Sequence, residues 1–98
     1  MNTLEKERIV TKNVLNLIEE NFDIAQTTDK ILDFEPKKEH SSKCAKYYES
    51  IVDIFLIEDK HLDSISRTGT VKDTIKKVTE LWSTASKSSI GNWEWQMQ

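Results

Sequence analysis

Two places in this chain combine residue types that carry out chemistry in other proteins: a Glu58-x-x-His61 pair and the single cysteine, Cys44. Residues three apart in an α-helix share a face, so Glu58 and His61 could both reach one metal ion. Carboxylate-bridged metal centres in helical bundles need two such pairs and further glutamates. The other histidine, His40, stands in a different segment. The pattern therefore favours a solvated helix face and predicts no metal site.

Cys44 has two lysines close in sequence, which could lower the pKa of a reactive thiol. Its spacing nevertheless puts it on the apolar side of a predicted helix, where a single cysteine is typically buried and inert. The sequence has no glycine-rich phosphate loop, no Cys-x-x-Cys pair and no Gly-x-Ser-x-Gly motif. We therefore expect no enzyme, no catalytic residue and no cofactor.

The C-terminal segment has a different pattern, in which Trp93, Trp95 and Met97 alternate with polar residues. A two-residue spacing puts these three side chains on one side of an extended chain. Aromatic and methionine side chains are enriched where proteins bind partners. The segment could contact a partner, or fold back over its own helices. We predict a helical domain over residues 1–87 and a tail over 88–98.

A degenerate helix-turn-helix surrounds Gly69, with Ile75 and Val78 at the offsets expected for packing the two helices of such a motif. Other positions that are usually apolar hold Ser64, Thr68 and Thr70. The cations that would contact phosphate groups are Arg67, Lys72, Lys76 and Lys77. The formal net charge of −3 has the wrong sign for a dedicated nucleic-acid binder. A DNA-binding regulator is therefore an alternative interpretation.

The 98 residues contain only two glycines and one proline, so few positions interrupt a helix. We therefore expect helices to position these residues. A first helix is predicted from an N-cap at Thr3 to Phe22, and a short second helix carries Ile31, Leu32 and Phe34 until Pro36 stops it. A third runs from Ser41 or Ser42 to about Ile65, with an apolar stripe of Cys44, Tyr48, Ile51, Val52, Phe55 and Leu62. A fourth begins at a Thr70-x-x-Asp73 capping box and runs to about Lys87.

The predicted fold is all-α: a small antiparallel bundle of three long helices and one short helix, followed by the extended aromatic tail. Residues 51–57 are apolar except at Asp53, so the third helix should be central or lie at a subunit interface. A homodimer would form through the helix that contains Ile51 and Phe55. A structural homo-oligomer is thus a second alternative.

The function we expect is non-catalytic binding to another protein, as an adaptor, inhibitor or regulatory subunit. The contact surface would combine the tail with an acidic face at Glu58, Asp59 and Asp63. The bias toward lysine and isoleucine suggests, by analogy, a phage- or mobile-element-encoded modulator of a host protein. The lone cysteine and the charged N-terminal segment favour the cytoplasm, of the host cell if phage-encoded, and no apolar run approaches the ~20 residues that span a membrane.

Overall fold

A computed structural model describes residues 2–39 and 41–82, and every regular element in these ranges is helical. The five α-helices are α1 (Thr3–Phe22), α2 (Pro36–Glu39), α3 (Cys44–Phe55), α4 (Leu62–Ser66) and α5 (Val71–Leu81). Short 3-10 turns lie at Ile31–Asp33, Ser41–Lys43 and Asp59–His61. The all-α bundle is confirmed, with three longer helices and two short ones in place of the single short helix predicted. The predicted tail, with Trp93, Trp95 and Met97, lies outside the described residues.

The core forms where α1 packs against both α3 and α5, while α4 packs against α3 and α5. Helix α3 contributes six buried residues, among them Ile51 and Phe55, whose exposed fractions are 0% and 1%. Both side chains therefore belong to the core of a single chain. The surface suggested for a homodimer is not exposed at these two positions.

The third helix is shorter than predicted, because it ends at Phe55 instead of continuing to Ile65. Leu56 adopts the left-handed conformation, with φ 52° and ψ 41°. The Ile57 amide donates to the Val52 carbonyl at 3.0 Å, and the Leu56 amide donates to the Asp53 carbonyl at 3.4 Å. These two bonds form a Schellman motif, which ends the helix and returns Ile57 to the core. Leu62 and Ile65 consequently belong to the separate helix α4.

The segment before α3 also differs from the prediction. Ile31–Asp33 forms only a 3-10 turn, and Pro36 begins α2 where it was expected to stop a helix. The first helical position suits proline, because an amide there has no intrahelical partner. At the N-terminus, Asn2 and not Thr3 is the cap, since its side chain accepts a hydrogen bond from the Glu5 amide at 2.8 Å.

The capping box at the start of α5 is confirmed. The Thr70 hydroxyl accepts from the Asp73 amide at 3.1 Å, and the Asp73 carboxylate accepts from the Thr70 amide at 3.4 Å. The helix ends at Leu81, earlier than predicted, and Trp82 is extended. Its ring packs edge-on against Phe55 with centroids 5.3 Å apart, which joins the end of α5 to the end of α3. None of the helices in the described ranges has the length and apolar character needed to cross a bilayer.

Candidate functional site

Exposed acidic residues are concentrated in the segment that contains the end of α3 and the start of α4. Five exposed carboxylates come from residues 49–63, and we call this set the acidic surface: Glu49, Asp53, Glu58, Asp59 and Asp63. Lys60 is the only lysine or arginine in the same stretch. Glu58 pairs with Lys60 at 3.3 Å and Asp63 with Arg67 at 3.0 Å. No ion pair within the described part of the chain involves the other three carboxylates, so they are available for a partner.

A groove between α3 and α4 concentrates part of this charge. It has a volume of about 390 Å³, and we call it the α3/α4 groove; its lining residues are Ala45, Tyr48, Glu49, Asp59, Leu62, Asp63 and Ser66. Ala45 and Glu49 are one helical turn apart on α3, and Asp59 and Asp63 lie on the opposite side. Of the three acidic residues predicted from the sequence, Asp59 and Asp63 both line the groove. Glu58 precedes Asp59 in the chain but is not one of the lining residues.

Tyr48 lines this groove and is almost fully buried. Its exposed fraction is 2%, and its hydroxyl has no hydrogen-bond partner in residues 2–39 and 41–82. Burial raises the pKa of Tyr48 to about 12, and Cys44 adds to the effect, so the hydroxyl is protonated at neutral pH. The Tyr47 hydroxyl is buried in the same way and also lacks a hydrogen bond of standard geometry from the described part of the chain, so this property is not particular to Tyr48.

Leu56, at the end of α3, is the second unusual feature. It is 53% exposed and holds a left-handed backbone conformation that favours glycine or asparagine. Asp53 lies three residues before it and Glu58 two residues after it, so this apolar side chain is part of the same region as the acidic surface. Sequence reasoning missed Leu56 because a leucine in an apolar run carries no signal of a left-handed turn.

The residues of the DNA-binding alternative lie on a different face. Lys72 and Lys76 line a larger groove of about 680 Å³ between α1 and α5. The same groove contains three carboxylates, those of Glu7, Asp73 and Glu80. Arg67 is held by Asp63, and Lys77 is only partly exposed. Carboxylates therefore lie among these cations and would repel phosphate groups. Helix α4, which would be the first helix of the helix-turn-helix, has only five residues. Neither feature favours phosphate binding.

The two chemical possibilities raised by the sequence have different outcomes. Cys44 is buried, as predicted, and burial raises the pKa of its thiol while Lys37 partly offsets the shift. Glu58 and His61 do not share a face of an α-helix, because Glu58 precedes the 3-10 turn that His61 ends. Within the described ranges, no group of three or more potential metal ligands comes together.

Comparison with known proteins gives no assignment for this geometry. No family model, no curated protein and no solved structure matches the chain.

Proposed function

We propose that this chain is a non-catalytic protein-binding module whose contact surface is the acidic surface together with Leu56. The observation that carries the proposal is Leu56 itself, an apolar side chain more than half exposed in a backbone conformation that costs about 1 kcal/mol or more. Glycine would end α3 at this position without that cost. A leucine here stabilises the folded chain poorly, and an exposed apolar anchor is what a binding surface needs.

The charges on α3 support the same conclusion. Lys43 and Lys46 lie at its start and Asp53 in its last turn, the reverse of the order that the helix dipole favours. A partner that carries positive charge would meet Asp53 and Glu49 on the exposed side of α3. Sequence rules broken without a compensating gain in the fold are expected at functional sites. We place this activity in the cytoplasm, as the lone cysteine suggests.

The test is capture of partners from an extract of the source cell by the immobilised full chain. The amount of a partner captured by the Leu56→Gly variant should be at least tenfold lower than the amount captured by the wild type. The matched control is Leu4→Gln, because Leu4 is 77% exposed but lies in the ordinary helical backbone of α1. This control should keep the partner. Raising the salt concentration should weaken capture, since the acidic surface contributes to it.

Stability measurements show whether Leu56→Gly acts on binding alone. Relief of the left-handed strain opposes the lost contacts of a half-buried leucine, so the free energy of unfolding should change by less than about 1 kcal/mol. The proposal fails if wild type and Leu56→Gly capture the same proteins to the same extent. It fails equally if Leu4→Gln loses the same partner, because the exposed leucines would then act through non-specific hydrophobic adsorption.

A further inference from the structure

We propose that the groove between α1 and α5 is the docking site for residues 93–97 of this same chain. We call it the α1/α5 groove. Its volume of about 680 Å³ is that of an ordinary ligand pocket. Side chains from the first three turns of α1 and from most of α5 line it, together with Leu32. The groove is separate from the acidic surface, so its occupant does not depend on the proposed function.

The groove offers apolar surface to an occupant. Leu32 is 40% exposed, and Ile75 lines the groove from the middle of α5. The Thr11 hydroxyl donates to the Glu7 carbonyl at 2.7 Å. The Thr79 hydroxyl donates to the Ile75 carbonyl, also at 2.7 Å. Because both lining threonines already have acceptors on their own helices, an apolar side chain in the groove would leave neither donor unsatisfied.

The chain enters its last segment at one end of this groove. Glu80 lines the groove and stands two residues before Trp82, where the described part of the chain ends. The Lys6 ammonium lies 6.0 Å from the centroid of the Trp82 ring, so the end of α5 adjoins the start of α1. The Val71 amide donates to the Phe34 carbonyl at 2.9 Å, which places the start of α5 beside the first 3-10 turn. A segment that folds back after α5 would therefore run along the groove toward that turn.

The lengths of the segment and the groove agree. The groove follows α5 from Lys72 to Glu80, which is about 12 Å along a helix. Residues 93–97 cover about 13 Å when extended. The ten residues 83–92 can span up to about 33 Å, which is enough for the chain to turn back. Alternation in an extended segment puts both tryptophans and the methionine on one side, so all three can enter the same groove.

The charges of the segment complement those of the groove. Lys72 and Lys76 are exposed, line the groove and form no ion pair with another described residue. Glu94, between the two tryptophans, is the only acidic residue of the segment and would lie at the groove edge, within reach of a lysine side chain. The Asp73 carboxylate accepts a hydrogen bond within the capping box. Since exposed ion pairs contribute little, the tryptophans supply most of the binding and Glu94 sets the direction of the segment.

Attachment to the same chain favours this occupant over a separate molecule. A segment on a short flexible linker has an effective concentration on the order of millimolar at a nearby site. A second copy or another protein would have to reach a comparable concentration to compete. The expected state is therefore a closed monomer in which residues 93–97 cover Leu32.

The experiment is NMR on the full chain, with isotope labels on methyl groups and tryptophan indoles. We expect nuclear Overhauser effects from the indole protons of Trp93 or Trp95 to the methyl groups of Leu32 and Ile75, and none to those of Leu56. Tenfold dilution should leave the indole chemical shifts unchanged. Shifts that change on dilution would assign the groove to a second copy and overturn the proposal. Absence of contacts between either indole and the groove would overturn it as well.

Variants on the groove side test which residues hold the segment. Leu32→Gln should lower the equilibrium constant for docking roughly threefold, because it removes apolar surface, and should move both indole signals toward those of the chain unfolded in urea. Leu56→Gln changes an exposed leucine outside the groove, and it is the matched control that should leave these signals in place. Lys76→Glu should lower the constant about twofold, and adding Glu94→Lys should restore it.

A variant in the segment keeps the test valid if position 32 proves sensitive to substitution. Trp93→Ser combined with Trp95→Ser should move the methyl signals of Leu32 and Ile75 while those of Leu56 stay in place. Methyl signals of the groove that do not respond to this double variant would overturn the proposal, because the tryptophans would then not occupy the groove.

Discussion

Helices α5 and α3 pack in one core, yet their ends follow opposite rules. Helix α5 begins with a complete capping box and has Asp73 in its first turn, where the helix dipole favours a negative charge. Helix α3 has lysines at its start, an aspartate in its last turn and Leu56 in the left-handed conformation at its end. Both ends of α3 are therefore less stable than they would be with residues that suit a helix start and a helix end.

The difference shows which forces hold each helix. The buried face of α3, with Tyr47, Ile51 and Phe55, compensates for its unfavourable ends, because tertiary packing dominates the stability of short helices. Helix α5 also packs in the core, but its start is stabilised locally as well. The exposed residues of α3 are thus not the ones that would stabilise the helix best, and this departure supports a binding role.

The largest expected effect tests whether packing holds α3. Phe55→Ala should lower the free energy of unfolding by about 3–5 kcal/mol, because it removes a buried ring and its contact with Trp82. Urea denaturation measures the change. The loss should be independent of protein concentration, since Phe55 is buried within one chain. A loss that grows as the protein is diluted would instead restore the homodimer through Ile51 and Phe55.

A smaller effect tests the start of α5. Thr70→Ala should lower the free energy of unfolding by about 1 kcal/mol, because the Asp73 amide loses its acceptor. Thr27→Ala, which changes an exposed threonine in the loop after α1, is the control and should have little effect. Thermal unfolding followed by circular dichroism measures both. Equal small losses for the two variants would mean that the ends of α5 and α3 do not differ in the way described.

A third effect of opposite sign tests the end of α3. Asp53→Lys should raise the free energy of unfolding by about 0.5 kcal/mol, because it places a cation at the C-terminal end of the helix and one turn after Glu49. The same variant should weaken capture of the partner, whereas Asp33→Lys should not. Urea denaturation and the capture assay provide the two values. A variant that loses stability would remove the evidence that the charges of α3 oppose its fold.

Sequence reasoning predicted the helices whose limits have local causes. The capping box at Thr70 was identified from residue types, and the apolar spacing located α1 and α5. The end of α3 could not be predicted, because leucine in a left-handed conformation depends on tertiary packing and not on a local preference. Pro36 was interpreted as a stop, although proline is equally suited to the first position of a helix.

The candidate site was predicted only in part for the same reason. Asp59 and Asp63 were identified by their charge, which is visible in the sequence. Tyr48 was assigned to the apolar stripe, and its burial is correct. The unsatisfied hydroxyl and the groove with Glu49 depend on where α4 packs against α3, and no spacing within one helix indicates that position. Distances between elements are therefore the information that the sequence lacked.

The smallest expected effect on stability tests the DNA-binding alternative. Arg67→Ala should change the free energy of unfolding by only a few tenths of a kcal/mol, since both side chains of the Asp63–Arg67 pair are about three-quarters exposed. A phosphate-binding role for Arg67 instead predicts duplex DNA binding at low salt, which the variant weakens. Lys72→Ala tests the same alternative on the other face of the bundle, because phosphate binding by this motif predicts that it too weakens duplex binding, and absence of duplex binding at low salt contradicts the alternative.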